Sequence, residues 1–266
     1  MKIFISADIE GTCGIVNVDE TNINSEFSMY HRIQMTKEVK AACDGATAAG
    51  CNYILVKDAH ASARNIIPAM LPTDANIMRG WTGDPLSMMS GLDSSFDACI
   101  FIGYHSGATV SGNPLSHTKN GRAYDYIKIN DELANEFVIN SYTASYYNVP
   151  VIFISGDEML CSDSKKLNKN IHTVSVSKGI GAATIAIHPE LAIKNIKSEV
   201  KKALSCDLSK FIVKLPDSFK LEIRYKNHKD TYKASFYPNV ILKDSQTISF
   251  KTHDYFEILR MLLFSI

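Results

Sequence analysis

The sequence lacks the features that mark several large classes of protein. Its six cysteines form no C-x-x-C pair, which argues against a zinc ribbon and against a disulfide-rich secreted fold. Most of them are therefore expected to be reduced and buried. No apolar run approaches the roughly 18 residues of a membrane span. The first apolar run meets Asp8 too early for a signal peptide.

An excess of charge of either sign is also missing. Lysine plus arginine (28) equal aspartate plus glutamate (28), so no net charge favours nucleic acid or an anionic membrane. We expect a cytoplasmic protein with a small substrate, without a nucleic-acid or membrane partner.

What is present predicts an α/β fold. The 266 residues, 45% of them hydrophobic, suffice for one large or two modest domains. Buried strands are predicted at Lys2–Ala7, 53–56 and 98–103, and a long amphipathic helix is predicted within 25–50. Strand, helix and strand in this order indicate a parallel crossover. We expect a largely parallel sheet flanked by helices.

The predicted pattern of secondary structure changes near residue 189. An amphipathic helix at 189–205 is followed by alternating strands, one of them expected at 211–215, and by a closing helix at 255–266. We predict two units: an α/β domain at 1–188 that carries the functional site, and a smaller α+β domain at 189–266.

Two carboxylates follow the first predicted strand. Asp8 and Glu10 are spaced i, i+2, and in an extended segment such residues share one face, so they could hold one cation jointly. Gly11 and Gly14 follow at once and favour a turn.

Polar residues also end three further predicted strands: Asp58 with His60, His105, and Asp157 with Glu158. The carboxyl ends of parallel strands meet along one edge of a sheet, where ligands bind. Histidines and carboxylates without cysteine suit zinc, or manganese if oxygen dominates. Asp58 is interpreted as a partner that orients His60.

Two further residues are left without a role by their sequence context. His117 lies in a predicted loop, and Glu136 lies in the first turn of a helix expected to begin at Asp131, where an acidic residue suits the helix dipole. The residues alone therefore predict a metallohydrolase site with an unassigned reaction.

Six short blocks of the sequence occur in the same order in a known family. The blocks are Ser6-Ala7-Asp8-Ile9-Glu10-Gly11, Lys57-Asp58-Ala59-His60, Gly103-Tyr104-His105, Leu115-Ser116-His117, Asn130-Asp131 through Glu136, and Val149-Pro150-Val151 followed by Gly156-Asp157. Over about residues 1–180 the chain resembles the DppA-type D-aminopeptidase family, peptidase family M55. It departs from the better-known members at Ala59 and Thr118, where serine is usual.

The resemblance implies a self-compartmentalising metallo-aminopeptidase that uses two zinc ions, or another divalent metal, in each subunit. The implied substrate is a short peptide or an amino-acid amide, with a D-residue at its amino terminus. The implied assembly is a homo-oligomer, a decamer of two five-membered rings around a channel that residues 189–266 would help to shape.

The resemblance also implies a division of metal ligands. Carried over by position, Asp8 would bridge both ions, Glu10 and His60 would complete one site, and His105 and Glu136 would complete the other.

Carried over in the same way, His117 would be the catalytic histidine, and Asp157 and Glu158 would be neighbours of the site rather than ligands. A metal-activated water would attack the scissile carbonyl, and His117 would move a proton or orient the intermediate.

Two other functions stay open at this point. A ring-forming protein could bind peptide or metal without turnover, although the five candidate ligands and His117 are all present. A binuclear metallophosphoesterase would also use paired metals, but its expected Gly-Asn-His block is absent from the sequence.

Overall fold

The structure is a computed structural model that describes residues 1–265, and in that range it contains twelve strands and seven α-helices. The strands are β1 (Lys2–Ala7), β2 (Tyr53–Asp58), β3 (Ala75–Met78), β4 (Ala98–Tyr104), β5 (Tyr124–Ile129), β6 (Glu132–Leu133), β7 (Val151–Asp157), β8 (His172–Ile180), β9 (Ala183–Ala186), β10 (Phe219–Tyr225), β11 (Ile241–Leu242) and β12 (Thr247–Thr252). The helices are α1 (Val18–Thr21), α2 (Ser28–Ala48), α3 (Glu136–Tyr146), α4 (Glu158–Leu167), α5 (Pro189–Leu204), α6 (His228–Ala234) and α7 (Tyr255–Phe264).

Seven strands form one sheet with β1 near its centre, in the order β3-β2-β1-β4-β7-β8-β9. Its neighbouring strands are parallel except for β8 and β9. Side chains alternate across β1: Ile3 and Ile5 pack with α2 and α5, whereas Phe4 packs on the opposite face with Phe137 of α3. This arrangement confirms the predicted α/β fold with a largely parallel sheet between helices.

A second, antiparallel sheet has the order β11-β12-β10-β5-β6. It packs against α7 through a separate core that includes Ile223 of β10 and Ile258 of α7. Strands β5 and β6 reach this sheet from before residue 189, while Ile196 and Val200 of α5 pack with the first sheet. The division into 1–188 and 189–266 stays a prediction; all seven strands of the first sheet precede residue 189, whereas the second sheet takes strands from both segments.

Two predicted elements differ from the structure. The helix expected at Asp131 begins at Glu136, because Asn130 (φ 53°) and Asp131 (φ 71°) form a left-handed turn between β5 and β6. The strand expected at 211–215 is absent from residues 1–265. A short 3₁₀ helix, Leu208–Phe211, takes up the start of this range, and Asp207 caps it by accepting a hydrogen bond from Ser209 N. Of the closing helix, position 266 lies outside the described residues.

The register of the first sheet positions the functional residues. Ala7 pairs with Asp58 of β2 and with Ile102 of β4, so residues 8–10, 60 and 105 emerge at the same edge. Within residues 1–265, no helix is long and apolar enough to cross a bilayer.

Candidate metal centre

Asp8 and Glu10 lie in a tight turn that follows β1. Asp8 N still donates to Ile102 O (2.8 Å), which keeps this turn against β4. The turn requires glycine at position 11, because a Cβ on Gly11 would lie 1.7 Å from the carbonyl oxygen of Tyr104. The expectation that the two carboxylates share the face of an extended segment is therefore wrong. The turn brings them together instead.

His60 lies between these two carboxylates. It follows β2 by two residues, and its Nδ1 is 3.2 Å from Asp8 Oδ1 and 2.9 Å from Glu10 Oε2. Each of the three residues offers one ligand atom, and these atoms lie within 4.8 Å of one another. Asp8, Glu10 and His60 are hereafter the first group.

A second group uses the other oxygen of Asp8. His105 directly follows β4, and its Nε2 is 3.6 Å from Asp8 Oδ2 and 3.9 Å from Glu136 Oε2. All three side chains are buried, and their ligand atoms again lie within 4.8 Å of one another. Asp8 thus belongs to both groups and turns one oxygen toward the histidine of each.

Glu136 reaches this edge from the first turn of α3. Asn135 caps the helix by accepting a hydrogen bond from Val138 N (2.9 Å). The Oε1 atom of Glu136 accepts a hydrogen bond from Lys119 N (2.6 Å), which leaves Oε2 to face His105. The cap and the loop hydrogen bond together fix a carboxylate that sequence context could not assign.

His117 lies beside the second group on the loop after β4. Its Nδ1 is 2.8 Å from Leu115 O, and because a carbonyl only accepts, Nδ1 carries a proton and Nε2 is left toward the site. Nε2 is 3.9 Å from Glu136 Oε1. The side chain is 24% exposed, more than any of the five candidate ligands. His117 also satisfies metal-ligand spacing with Glu10 and His105.

Burial and neighbouring charges shift the pKa values of the carboxylates in the two groups. Burial, reinforced by the charge of Glu10, raises the pKa of Asp8 well above its ordinary value. Burial also opposes ionisation of Glu10, but the charge and hydrogen bond of His60 outweigh it and hold the pKa of Glu10 well below its ordinary value.

The histidines respond in the opposite direction. Burial opposes their protonation, yet Glu10 raises the pKa of His60 well above its ordinary value, and Glu136 raises the pKa of His105 to about 9. Positive charge is therefore strongly favoured among these carboxylates, whether protons on histidine or bound cations supply it.

The atoms of the two groups fit a pair of divalent cations. His105 Nε2 is buried and makes no hydrogen bond within the described chain, a condition that is costly unless another partner is present. The donor set of histidine nitrogens and carboxylate oxygens suits zinc. Asp8, shared by both groups, is placed to serve two ions.

Two other residues at the predicted strand ends support the site without joining it. Asp58 accepts hydrogen bonds from Asn65 N (2.6 Å) and Ile66 N (2.7 Å), so it fixes the loop after His60 rather than orienting the imidazole as predicted. Asp157 accepts from Ser106 N (2.6 Å) and Ser106 Oγ (2.6 Å) and so anchors the segment after His105.

Glu158 is not part of either ligand group. It is exposed, and its carboxylate is 3.5 Å from Lys178 Nζ. Neither Asp157 nor Glu158 belongs to the two groups, as the resemblance implied.

Four of the five residues of the two groups, all but His105, line a cavity of about 890 Å³. Its lining includes His117, Lys119 and Trp81 as well as the acidic residues. Sequence reasoning missed Lys119, whose one available signal is its place two residues after His117. The volume suits a ligand of a few residues.

Comparisons with known proteins agree with this geometry. Residues 1–264 match the family model of the M55 peptidases, described as D-aminopeptidase. The chain is 30% identical to a D-aminopeptidase of Bacillus subtilis (strain 168) over 268 aligned positions, which cover 99% of this chain and 96% of the relative.

Among solved structures, the chain is similar to the Zn-dependent D-aminopeptidase DppA from Bacillus subtilis, described as a self-compartmentalizing protease. The TM-score is 0.91 at 27% sequence identity, and the match covers 100% of this chain and 96% of that one. The similarity therefore includes both sheets.

Proposed function

The chain belongs to the D-aminopeptidase family, peptidase family M55, and from that premise we propose that it is a zinc aminopeptidase acting on short peptides or amino-acid amides, with preference for a D-residue at the amino terminus. The observation that carries this proposal is the sharing of Asp8 between two ligand groups, four of whose five residues line one cavity. Similarity to a Zn-dependent D-aminopeptidase over the whole chain supports the metal and the reaction.

The proposed ligands follow from the two groups. Glu10 and His60 would hold one ion, His105 and Glu136 would hold the other, and Asp8 would bind both. When bound, paired zinc ions stabilise negative charge on a carbonyl oxygen and lower the pKa of water enough for attack at neutral pH.

His117 supplies the mobile proton in this proposal. Its Nδ1 is committed to Leu115 O, so Nε2 is the nitrogen that takes a proton from the attacking water and returns it to the leaving amine. The stacked ring of His105, 4.4 Å away between centroids, keeps the imidazole of His117 in place during this transfer. Cleavage at the first residue follows if the free amino group of the substrate is held within the same cavity.

The proposal extends to assembly and location. A homo-oligomer is supported by the self-compartmentalizing character of the structural neighbour, and we propose the decamer of two five-membered rings and a cytoplasmic location. Light scattering coupled to size exclusion measures the assembly directly. A monomer at micromolar concentration would contradict that part.

The test of function combines metal content with turnover. The purified chain is expected to hold two zinc ions and to release D-alanine from D-Ala-D-Ala or from D-alaninamide, with loss of release after chelation and recovery on adding zinc. If the zinc-loaded protein cleaves nothing in a panel of D- and L-peptides and amides, the proposed activity is wrong. Peptide binding without turnover, or cleavage of a phosphodiester, would instead indicate one of the other two functions.

A further inference from the structure

Charged side chains of both signs line the cavity. Its acidic residues all belong to the two ligand groups: Asp8, Glu10 and Glu136. Its lysine and arginine residues are Arg64, Lys119 and Arg122. None of these three cations has an ion-pair partner within 4.0 Å in the part of the chain that the structure describes. The cavity therefore offers carboxylates to metal and unpaired cations to another ligand.

Lys119 is the cation tied most closely to the metal centre. Its backbone N–H donates to Glu136 Oε1 (2.6 Å), and it follows His117 by two residues. Its backbone adopts φ 64°, a left-handed conformation that non-glycine residues rarely occupy. The local fold thus holds this lysine at the wall of the cavity at some conformational cost.

The ammonium group of Lys119 is poorly satisfied by the protein. Nζ donates to Ser87 Oγ (2.9 Å), and this is its one hydrogen bond within residues 1–265. Ser87 also lines the cavity and has a left-handed backbone, with φ 55°. An ammonium has three donors, so two remain for a ligand. Lys119 is half-buried, and the charge of Glu136 acts on it without a direct ion pair, so Nζ remains available to pair directly with an anion.

The position of Lys119 beside Glu136, a proposed metal ligand, indicates what kind of anion its ammonium group would bind. A peptide spans roughly 3.3–3.6 Å per residue, so a substrate with one residue beyond the scissile bond ends close to the metal centre. We propose that Lys119 Nζ, with Ser87 Oγ beside it, binds the terminal carboxylate of a dipeptide substrate. This inference rests on the proposed function and narrows its substrate class to peptides whose carboxylate lies one residue past the cleaved bond.

The alternative role for Lys119 is to balance the charge of Glu136 and fix its position. That role would affect every substrate equally, because Glu136 is a proposed metal ligand for all of them. Carboxylate binding would instead affect only substrates that carry the carboxylate. The two roles therefore differ in a ratio of specificity constants.

The experiment compares D-Ala-D-Ala with D-alanyl-D-alaninamide, which has the same scissile bond and no carboxylate. Disappearance of each substrate is followed for the wild type, Lys119→Met and Lys119→Arg. Methionine keeps the backbone N–H that Glu136 accepts. In Lys119→Met the dipeptide-to-amide ratio of kcat/KM is expected to fall by about 10- to 100-fold, as for loss of a hydrogen bond to a charged group, and the change should lie mainly in KM.

Two controls sharpen the result. Lys119→Arg is expected to retain most of the ratio because the charge stays, and Arg122→Met, which removes an exposed cation from the same cavity, is expected to change it less than Lys119→Met. Zinc content is measured in each variant. A change in the ratio below about three-fold in Lys119→Met overturns the inference, whatever happens to the absolute rates.

Measuring the binding of the dipeptide and its amide tests the carboxylate site independently of the proposed catalytic activity. Calorimetry in a His117→Ala background, with and without Lys119→Met, measures the affinity for the dipeptide and for its amide. Lys119→Met is expected to remove the preference for the dipeptide by the same factor. A wild type that cleaves neither compound refutes the activity alone, whereas equal affinities for both compounds refute the carboxylate site.

Discussion

The imidazole ring of His117 stacks on that of His105, with ring centroids 4.4 Å apart and planes 20° apart. The proposed proton carrier is thereby placed by a proposed metal ligand. Its Nδ1, held by Leu115 O, prevents the ring from turning within the stack. The position of Nε2 is therefore coupled to the second group even though His117 is outside it.

Replacement of His117 by alanine should separate chemistry from metal binding. We expect kcat for D-Ala-D-Ala to fall by about 10²- to 10⁴-fold, the usual contribution of a general acid–base group, while two zinc ions per chain remain. Steady-state kinetics and elemental analysis check the two parts. Loss of one zinc ion would show that His117 is a ligand, in the grouping with Glu10 and His105.

Asp8 and Glu10 should differ in how much metal they control. Asp8→Ala is expected to remove both zinc ions and all activity, because both groups use this carboxylate. Glu10→Ala is expected to leave the second group partly occupied. Zinc per chain after dialysis, measured alongside circular dichroism to confirm folding, distinguishes them. Equal metal loss in the two variants would contradict the proposed division.

Glu38 of α2 should make stability depend on pH. Burial raises the pKa of its carboxyl to about 7, although Gln34 Nε2 and Cys13 N both donate to Oε1. The folded chain therefore keeps a proton that the unfolded chain releases once the pH exceeds 4.5, the ordinary pKa of a glutamate carboxyl. The stability due to this group is fully present below that value and is lost as pH rises toward about 7.

The matched variant for this effect is Glu38→Gln, which keeps the shape and removes the proton equilibrium. At about 1.4 kcal/mol per pKa unit, the wild type should lose on the order of 3 kcal/mol relative to the variant between mildly acidic and neutral pH. Urea unfolding at fixed zinc concentration measures it. Parallel stability curves for the two proteins would mean that Glu38 ionises normally.

Thiol chemistry should be confined to Cys206. Five cysteines are buried and Cys206 is exposed; burial raises the pKa of Cys13, Cys43 and Cys161 to about 12. Iodoacetamide under native conditions is therefore expected to add one group per chain, detected by intact mass. Cys206→Ser should accept none, and a second adduct on the native wild type would show that a buried thiol becomes exposed.

Much of the first sheet could be predicted because its strands are continuous apolar runs, a pattern that buried parallel strands require. The same logic brought Asp8, His60 and His105 to one edge. The helix expected at Asp131 was wrong because the left-handed turn at Asn130 and Asp131 depends on the pairing of β5 with β6. The pairing of β5 with β10, about 90 residues later, could not be read from local pattern.

The predicted site shows the same division between local and tertiary information. Spacing alone supports a joint cation at Asp8 and Glu10, although the geometry that joins them is a turn. Glu136 became a candidate only through the family resemblance, because an acidic residue in a first helical turn is ordinary. For Lys119 the one local signal is its place two residues after His117, and its proposed role depends on Ser87 and Glu136, which are distant in sequence.

The placement of α3 has a consequence for the whole chain. It carries Glu136 at its first turn and lies between the two sheets, with Phe137 in the core of the first and Ile139 in the core of the second. The other four candidate ligands all lie at the edge of the first sheet. An ion bound in the second group would therefore link α3 to that edge of the first sheet. Zinc would then stabilise the packing between the two sheets against thermal unfolding, in addition to its role in the reaction.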